Sequence, residues 1–161
     1  MCKGNHRGRV GTRFGNLAAT PKSYARTESN TMVTRVPKEH LTGHRGQNDD
    51  MERIIAVSRD TVGSKNLYSS IVRTAPGGRT EIHHHGECET SIYILSGRAR
   101  FYSGESLRDI VDATEGDFIF VPAYEVHVEE NASESDDLVV LLSRNCPGSV
   151  IHYVEGAIPS E

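Results

Sequence analysis

The chain has 161 residues, fifteen glycines, six prolines, no tryptophan and a formal net charge of −4, which suits one ordinary domain with its own core. That composition argues against a helical bundle, and no apolar run approaches the roughly 20 residues of a membrane span. The N-terminus also lacks the apolar centre of a secretory signal, so a soluble, cytoplasmic protein without a membrane partner is expected.

The charge is uneven along the chain. Residues 1–50 carry nine Lys/Arg against four Asp/Glu, and residues 51–161 carry nine against eighteen. The early basic residues are scattered among Gly, Thr, Asn and Ser without interleaved aromatics, so residues 1–35 read as a flexible, solvated arm, with no nucleic-acid partner expected. Residues 36–161 read as one β-rich domain, its first stretch lying along an edge and its core beginning near Met51. Strand composition recurs at Arg53–Ser58, Leu67–Arg73, Thr80–His85, Ser91–Leu95, Arg98–Tyr102, Leu107–Ala113, Phe118–Val121, Val126–Glu129, Leu138–Ser143 and Val150–Val154. Gly/Pro turns separate these segments, the rhythm of an all-β sandwich or barrel. Ser96-Gly97 reads as a tight hairpin turn. Cys2, Cys88 and Cys146 show no paired spacing, and three is an odd number, so reduced thiols are expected.

The chemistry concentrates in Gly77-Gly78-Arg79-Thr80-Glu81-Ile82-His83-His84-His85-Gly86-Glu87-Cys88-Glu89. On an extended strand His83 and His85 share one face and His84 takes the other. Imidazole and carboxylate suit a borderline divalent metal. A second constellation follows at Gly116-Asp117-Phe118-Ile119-Phe120-Val121-Pro122-Ala123-Tyr124-Glu125-Val126-His127, where a buried strand and a proline corner deliver one more histidine.

Together these stretches resemble the two motifs of the cupin superfamily. Gly77, His83, His85 and Glu89 fall on the first motif, with Gly97 one residue late. Gly116, Pro122, His127 and Asn131 fall on the second, with Tyr124 where glycine is usual. The resemblance implies a double-stranded β-helix (jelly-roll barrel) and a metal held by His83, His85, Glu89 and His127. Counted back from Gly97, the glutamate position falls on Thr90 instead; a bulge after Glu89 would reconcile the two counts, and without one three histidines remain with open positions. The implied cofactor is a divalent ion, Fe(II) first, with Mn, Ni or Zn as alternatives. The implied activity is that of a metal-dependent enzyme on a small polar chelating substrate, oxygenase chemistry ranking ahead of an isomerase or lyase. The alternative is a non-enzymatic, metal-containing cupin that binds or senses a small molecule. Glu89, Glu81 and Tyr93 are the candidate catalytic groups, although Tyr93 also reads as barrel packing. Exposed sheet edges, Arg53–Val57 among them, suggest strand exchange in a homodimer.

Overall fold

Strands form here where apolar and polar residues alternate, and burial follows that period of two along the central strands. A computed structural model describes residues 32–157, so the arm expected over 1–35 lies outside the described residues except for 32–35, which are exposed. The strands are β1 (Gly43–Arg45), β2 (Met51–Val57), β3 (Tyr68–Thr74), β4 (His83–His84), β5 (Thr90–Ser96), β6 (Arg98–Ser103), β7 (Asp109–Thr114), β8 (Phe118–Val121), β9 (Val128–Asn131), β10 (Leu138–Arg144) and β11 (His152–Tyr153). A single-turn helix, Arg59–Val62, follows β2 and is capped by the Ser58 hydroxyl, which accepts from the Asp60 and Thr61 amides.

Antiparallel pairing builds a six-stranded sheet in the order β1-β2-β3-β10-β5-β8, a three-stranded sheet β7-β6-β9 and a small pair β11-β4. Val72, Ile92, Ile94, Val140 and Leu142 of the large sheet pack on Ala99, Phe101 and Ala113 of the three-stranded one. This is the all-β jelly-roll barrel implied by the motifs. At one end, isolated bridges join Arg79 to Glu130 and His83 to His127, so the first histidine segment is laced to the approach of β9.

Several local expectations are corrected. No hairpin forms across Ser96-Gly97: β5 pairs with β10 and β8, while β6 pairs with β7 and β9. The chain instead passes from one sheet to the other at Gly97, where φ is +91° and a Cβ would lie 2.6 Å from the Asp137 carbonyl oxygen. A glycine serves a turn and a crossing equally well. Arg53–Val57 is an open edge only in part, since β3 pairs along one side of β2 while β1 covers Arg53 and Ile54 but not Ile55–Val57 on the other. The long strand expected over Thr80–His85 shrinks to His83–His84 because the backbone bends at Ile82.

On the outer face of the large sheet, Ile54, Ile71, Leu141, Tyr93 and Phe118 fall in one cross-strand row. The rings of Tyr93 and Phe118 lie 4.7 Å apart within it.

The reading of reduced thiols is also corrected, because Cys88 and Cys146 form a disulfide. Its origin is strand register. Thr90 pairs with Arg144 across β5 and β10, and the same antiparallel register, carried two residues before Thr90 and two after Arg144, sets Cys88 opposite Cys146, with Cα atoms 5.8 Å apart. Between them, Glu89 and Asn145 exchange backbone and side-chain hydrogen bonds. The bond closes a loop across 58 positions, for which chain entropy predicts a contribution of about 2–4 kcal/mol. Cys146→Ser is therefore expected to lower unfolding free energy by about that amount. Urea titrations of the two proteins check this, and equal midpoints would contradict it.

Candidate metal centre

His83 and His127 face each other across a narrow antiparallel bridge, each amide donating to the other's carbonyl (3.1 and 2.9 Å). This pairing sets their rings 4.4 Å apart between centroids. His85, just past β4, brings its ring to 4.8 Å from His83 and 5.0 Å from His127. All three side chains are buried.

The backbone decides which nitrogen of each ring carries the proton. Nδ1 of His83 meets the Glu81 carbonyl at 2.8 Å, Nδ1 of His127 meets that of Glu125 at 2.9 Å, and Nδ1 of His85 meets that of Val150 at 2.7 Å. A carbonyl only accepts, so each neutral ring holds its proton on Nδ1 and presents the Nε2 lone pair inward. Such anchoring of the outer nitrogen is the usual support of a metal-ligating histidine. Burial, the largest cause in both cases, lowers His83 to about 4 and His85 to about 3. Those two rings are neutral at physiological pH, as ligation requires.

The carboxylate at the cluster is Glu129. One ligand atom from each of His83, His85, His127 and Glu129 lies within 4.8 Å of all the others. Burial works to raise the Glu129 carboxyl, but its contact with His127 and the neighbouring His83 and His85 rings hold it down to about 2. Its Oε1 is 3.5 Å from His127 Nε2, a buried atom with no hydrogen-bond partner. Two acceptors facing each other in a buried site call for a cation or a proton between them. Three imidazole lone pairs and one carboxylate fit a borderline divalent ion such as Mn, Fe, Ni or Zn.

Two further donors reach the same lone pairs. Gln47 Nε2 lies 3.2 Å from His83 Nε2, and Arg144 Nη2 donates to His85 Nε2 at 2.8 Å.

Among the residues expected from the motifs, His83, His85 and His127 come together, and Glu89 does not join them. β5 pairs regularly with β10 from Thr90 to Ile94, so no bulge follows Glu89 and simple alternation holds. Glu89 is accordingly exposed, its carboxylate accepting from Asn145 Nδ2. Thr90 points inward and accepts from Arg144 Nε at 3.0 Å. Glu81 is exposed, because the bend at Ile82 breaks the parity it would share with His83; only its carbonyl serves the site. Tyr93 lies on the outer sheet face against Phe118, away from the cluster. His84 faces away from the other rings and stacks on His152 at 4.9 Å. Tyr124 takes up the left-handed conformation (φ 62°), which accounts for glycine being usual there.

Glu129, Arg144 and Gln47 were not anticipated. For Glu129 the signal was present: it stands two residues from His127 in an alternating stretch, hence on the same face.

The depressed histidines make a pH prediction. Unfolded histidine titrates near 6.5, above the folded values for His83 and His85, so below that pH the unfolded chain binds more protons. Stability is then full above about pH 6.5 and falls as pH drops towards 4 and 3, by about 1.4 kcal/mol per pH unit for each histidine involved. Urea unfolding of chelator-treated protein between pH 7.5 and 4.5 checks this. A flat profile would contradict it, and His83→Ala is expected to shallow the slope.

Residues 70–143 match the cupin domain family. The chain is 39% identical over 80 residues to a probable oxalate decarboxylase of Arthroderma benhamiae, covering 48% of this chain and 20% of that protein. It thus spans about one fifth of that relative's length. Among solved structures, the Bacillus subtilis oxalate decarboxylase, a protein with Mn(II) centres, superposes with a TM-score of 0.58 at 26% identity, over 66% of this chain and 29% of that one. The polyketide cyclase RemF of Streptomyces resistomycificus superposes with a TM-score of 0.64 at 19% identity, over 78% and 88% of the two chains, and shows a shared fold alone. Decarboxylases are lyases, and the solved one holds manganese, so these relatives lend no support to oxygenase chemistry or to iron over manganese. Two motifs in order, a jelly-roll pair of sheets and the family match make residues 70–143 a cupin domain.

Proposed function

We propose that this chain is a metal-dependent cupin enzyme acting on a small chelating acid, with lyase chemistry of the decarboxylase kind ahead of oxygenase chemistry. The observation that carries the metal reading is the unpartnered, buried Nε2 of His127 facing the Glu129 carboxylate beside two more inward lone pairs. The similarity to an oxalate decarboxylase supports the lyase reading.

In this reading His83, His85 and His127 hold a divalent ion, manganese or iron, with Glu129 as the carboxylate of the set. The bound ion supplies Lewis-acid polarisation of substrate oxygens. The protein's own residues do the rest. The carbonyls of Glu81, Glu125 and Val150 lock the imidazoles in one tautomer and orientation. Glu129, held ionised, can accept a proton at a carboxylate oxygen from an acidic ligand. Burial of the histidines excludes bulk water, which strengthens every charge interaction at the site.

A second reading, a non-enzymatic cupin that binds or senses a small molecule, draws on Thr90 standing where the family motif has its glutamate. One experiment separates the two. Protein reconstituted with Mn²⁺ or Fe²⁺ is incubated with 13C-oxalate and followed by NMR for formate and carbon dioxide. Turnover by wild type, lost in a folded His127→Ala protein whose metal affinity falls by about 100-fold or more, is the expected outcome. Saturable binding without product favours the sensor, and no metal uptake by wild type contradicts both.

A further inference from the structure

Arg144 ends β10 on its inward parity and is only 1% exposed. Its guanidinium is fully engaged but not neutralised: Nε donates to Thr90 Oγ1 (3.0 Å), Nη1 to the Val150 carbonyl (3.2 Å) and Nη2 to His85 Nε2 (2.8 Å). No carboxylate among the described residues forms a salt bridge with it. The Glu129 carboxylate acts on it only from beyond salt-bridge distance; a buried cation without a contacting carboxylate is costly, and an anionic ligand placed against it would offset that cost. Its surroundings point the same way. Arg53, 8% exposed, is a second buried cation close enough to repel it. Tyr68 is its cross-strand neighbour on β3 and holds a buried hydroxyl with no hydrogen-bond partner.

The contact with His85 adds a constraint. Because Nδ1 of that ring is committed to Val150, Nε2 is its only inward lone pair, and the guanidinium occupies it. A metal ion and Arg144 cannot both take that atom. Metal binding at His85 therefore releases a guanidinium edge inside the site.

We propose that Arg144 is the anion-recognition residue of this centre: it caps His85 in the metal-free protein and, once released by metal, pairs with a carboxylate of a small dianionic ligand. This rests on the metal-centre reading above and goes beyond it in naming the residue and the ligand's charge. One carboxylate, Glu129, stands against Arg144, Arg53 and a divalent ion, which leaves a strongly positive site. A dicarboxylate compensates that charge better than a monocarboxylate, and the planar guanidinium suits a carboxylate edge.

Calorimetric titration of chelator-treated, full-length protein tests this, first with Mn²⁺ and then with oxalate or acetate on the Mn²⁺-loaded form. In R144Q, loss of the competing donor and of a like charge is expected to tighten Mn²⁺ binding by about tenfold. Oxalate binding should weaken by about 30-fold or more, and its preference over acetate should shrink. A merely structural role would weaken both ligands together. R144Q that binds Mn²⁺ but keeps wild-type oxalate affinity overturns this proposal alone, whereas wild type that takes up no metal overturns the metal-centre reading and the proposal with it. If R144Q does not fold, R144K carries the test: charge without the planar fork should keep the preference for oxalate while weakening it by about tenfold, and unchanged oxalate affinity would overturn the proposal.

Discussion

Three backbone carbonyls, those of Glu81, Glu125 and Val150, set the chemistry of this protein. Each takes the Nδ1 proton of one buried histidine, and so turns three Nε2 lone pairs towards one point. The rest of the barrel serves that geometry. The bridge between His83 and His127 fixes two rings on facing segments, while the Val150 carbonyl, just before β11, fixes the third. Without those carbonyls a neutral imidazole could place its proton on either nitrogen, and the cluster would be three buried rings with no common direction.

Charge at the centre is arranged differently from what the family motif leads one to expect. Where that motif has a glutamate, this chain has Thr90, and the guanidinium of Arg144 lies against it. The carboxylate comes instead from Glu129, two residues beyond the last histidine. A site built this way carries both an internal cation and an internal anion before any ligand arrives. The disulfide between Cys88 and Cys146 ties together the two segments that hold His85 and Arg144, limiting how far these two competing groups can separate.

Much of this was legible in the residues. Alternation exposed nearly every strand of the barrel, since burial on one sheet face imposes a period of two. The two histidine motifs named the three imidazoles for the same reason, as parity places His83 and His85 together and the proline corner brings His127 round. What escaped reading depended on register between distant strands. Cys88 and Cys146 are partners only because β5 pairs with β10. Arg144 reads in sequence as the polar end of an apolar strand, and its meaning emerges once Thr90 is known to lie opposite. Gly97 looks like a turn whether the chain reverses or crosses between sheets. Counting forward from His85 leads to Glu89, whereas parity counted from Ile92 and Ile94 puts Thr90 inside.

The central claim is that three Nε2 atoms and Glu129 form a single divalent-metal centre. Electron spin echo envelope modulation on protein loaded with one equivalent of Mn²⁺ tests it most directly. The account predicts uptake of one ion per chain and modulation from imidazole nitrogens that disappears stepwise in His83→Ala and His127→Ala. Manganese that binds without any imidazole modulation would contradict it.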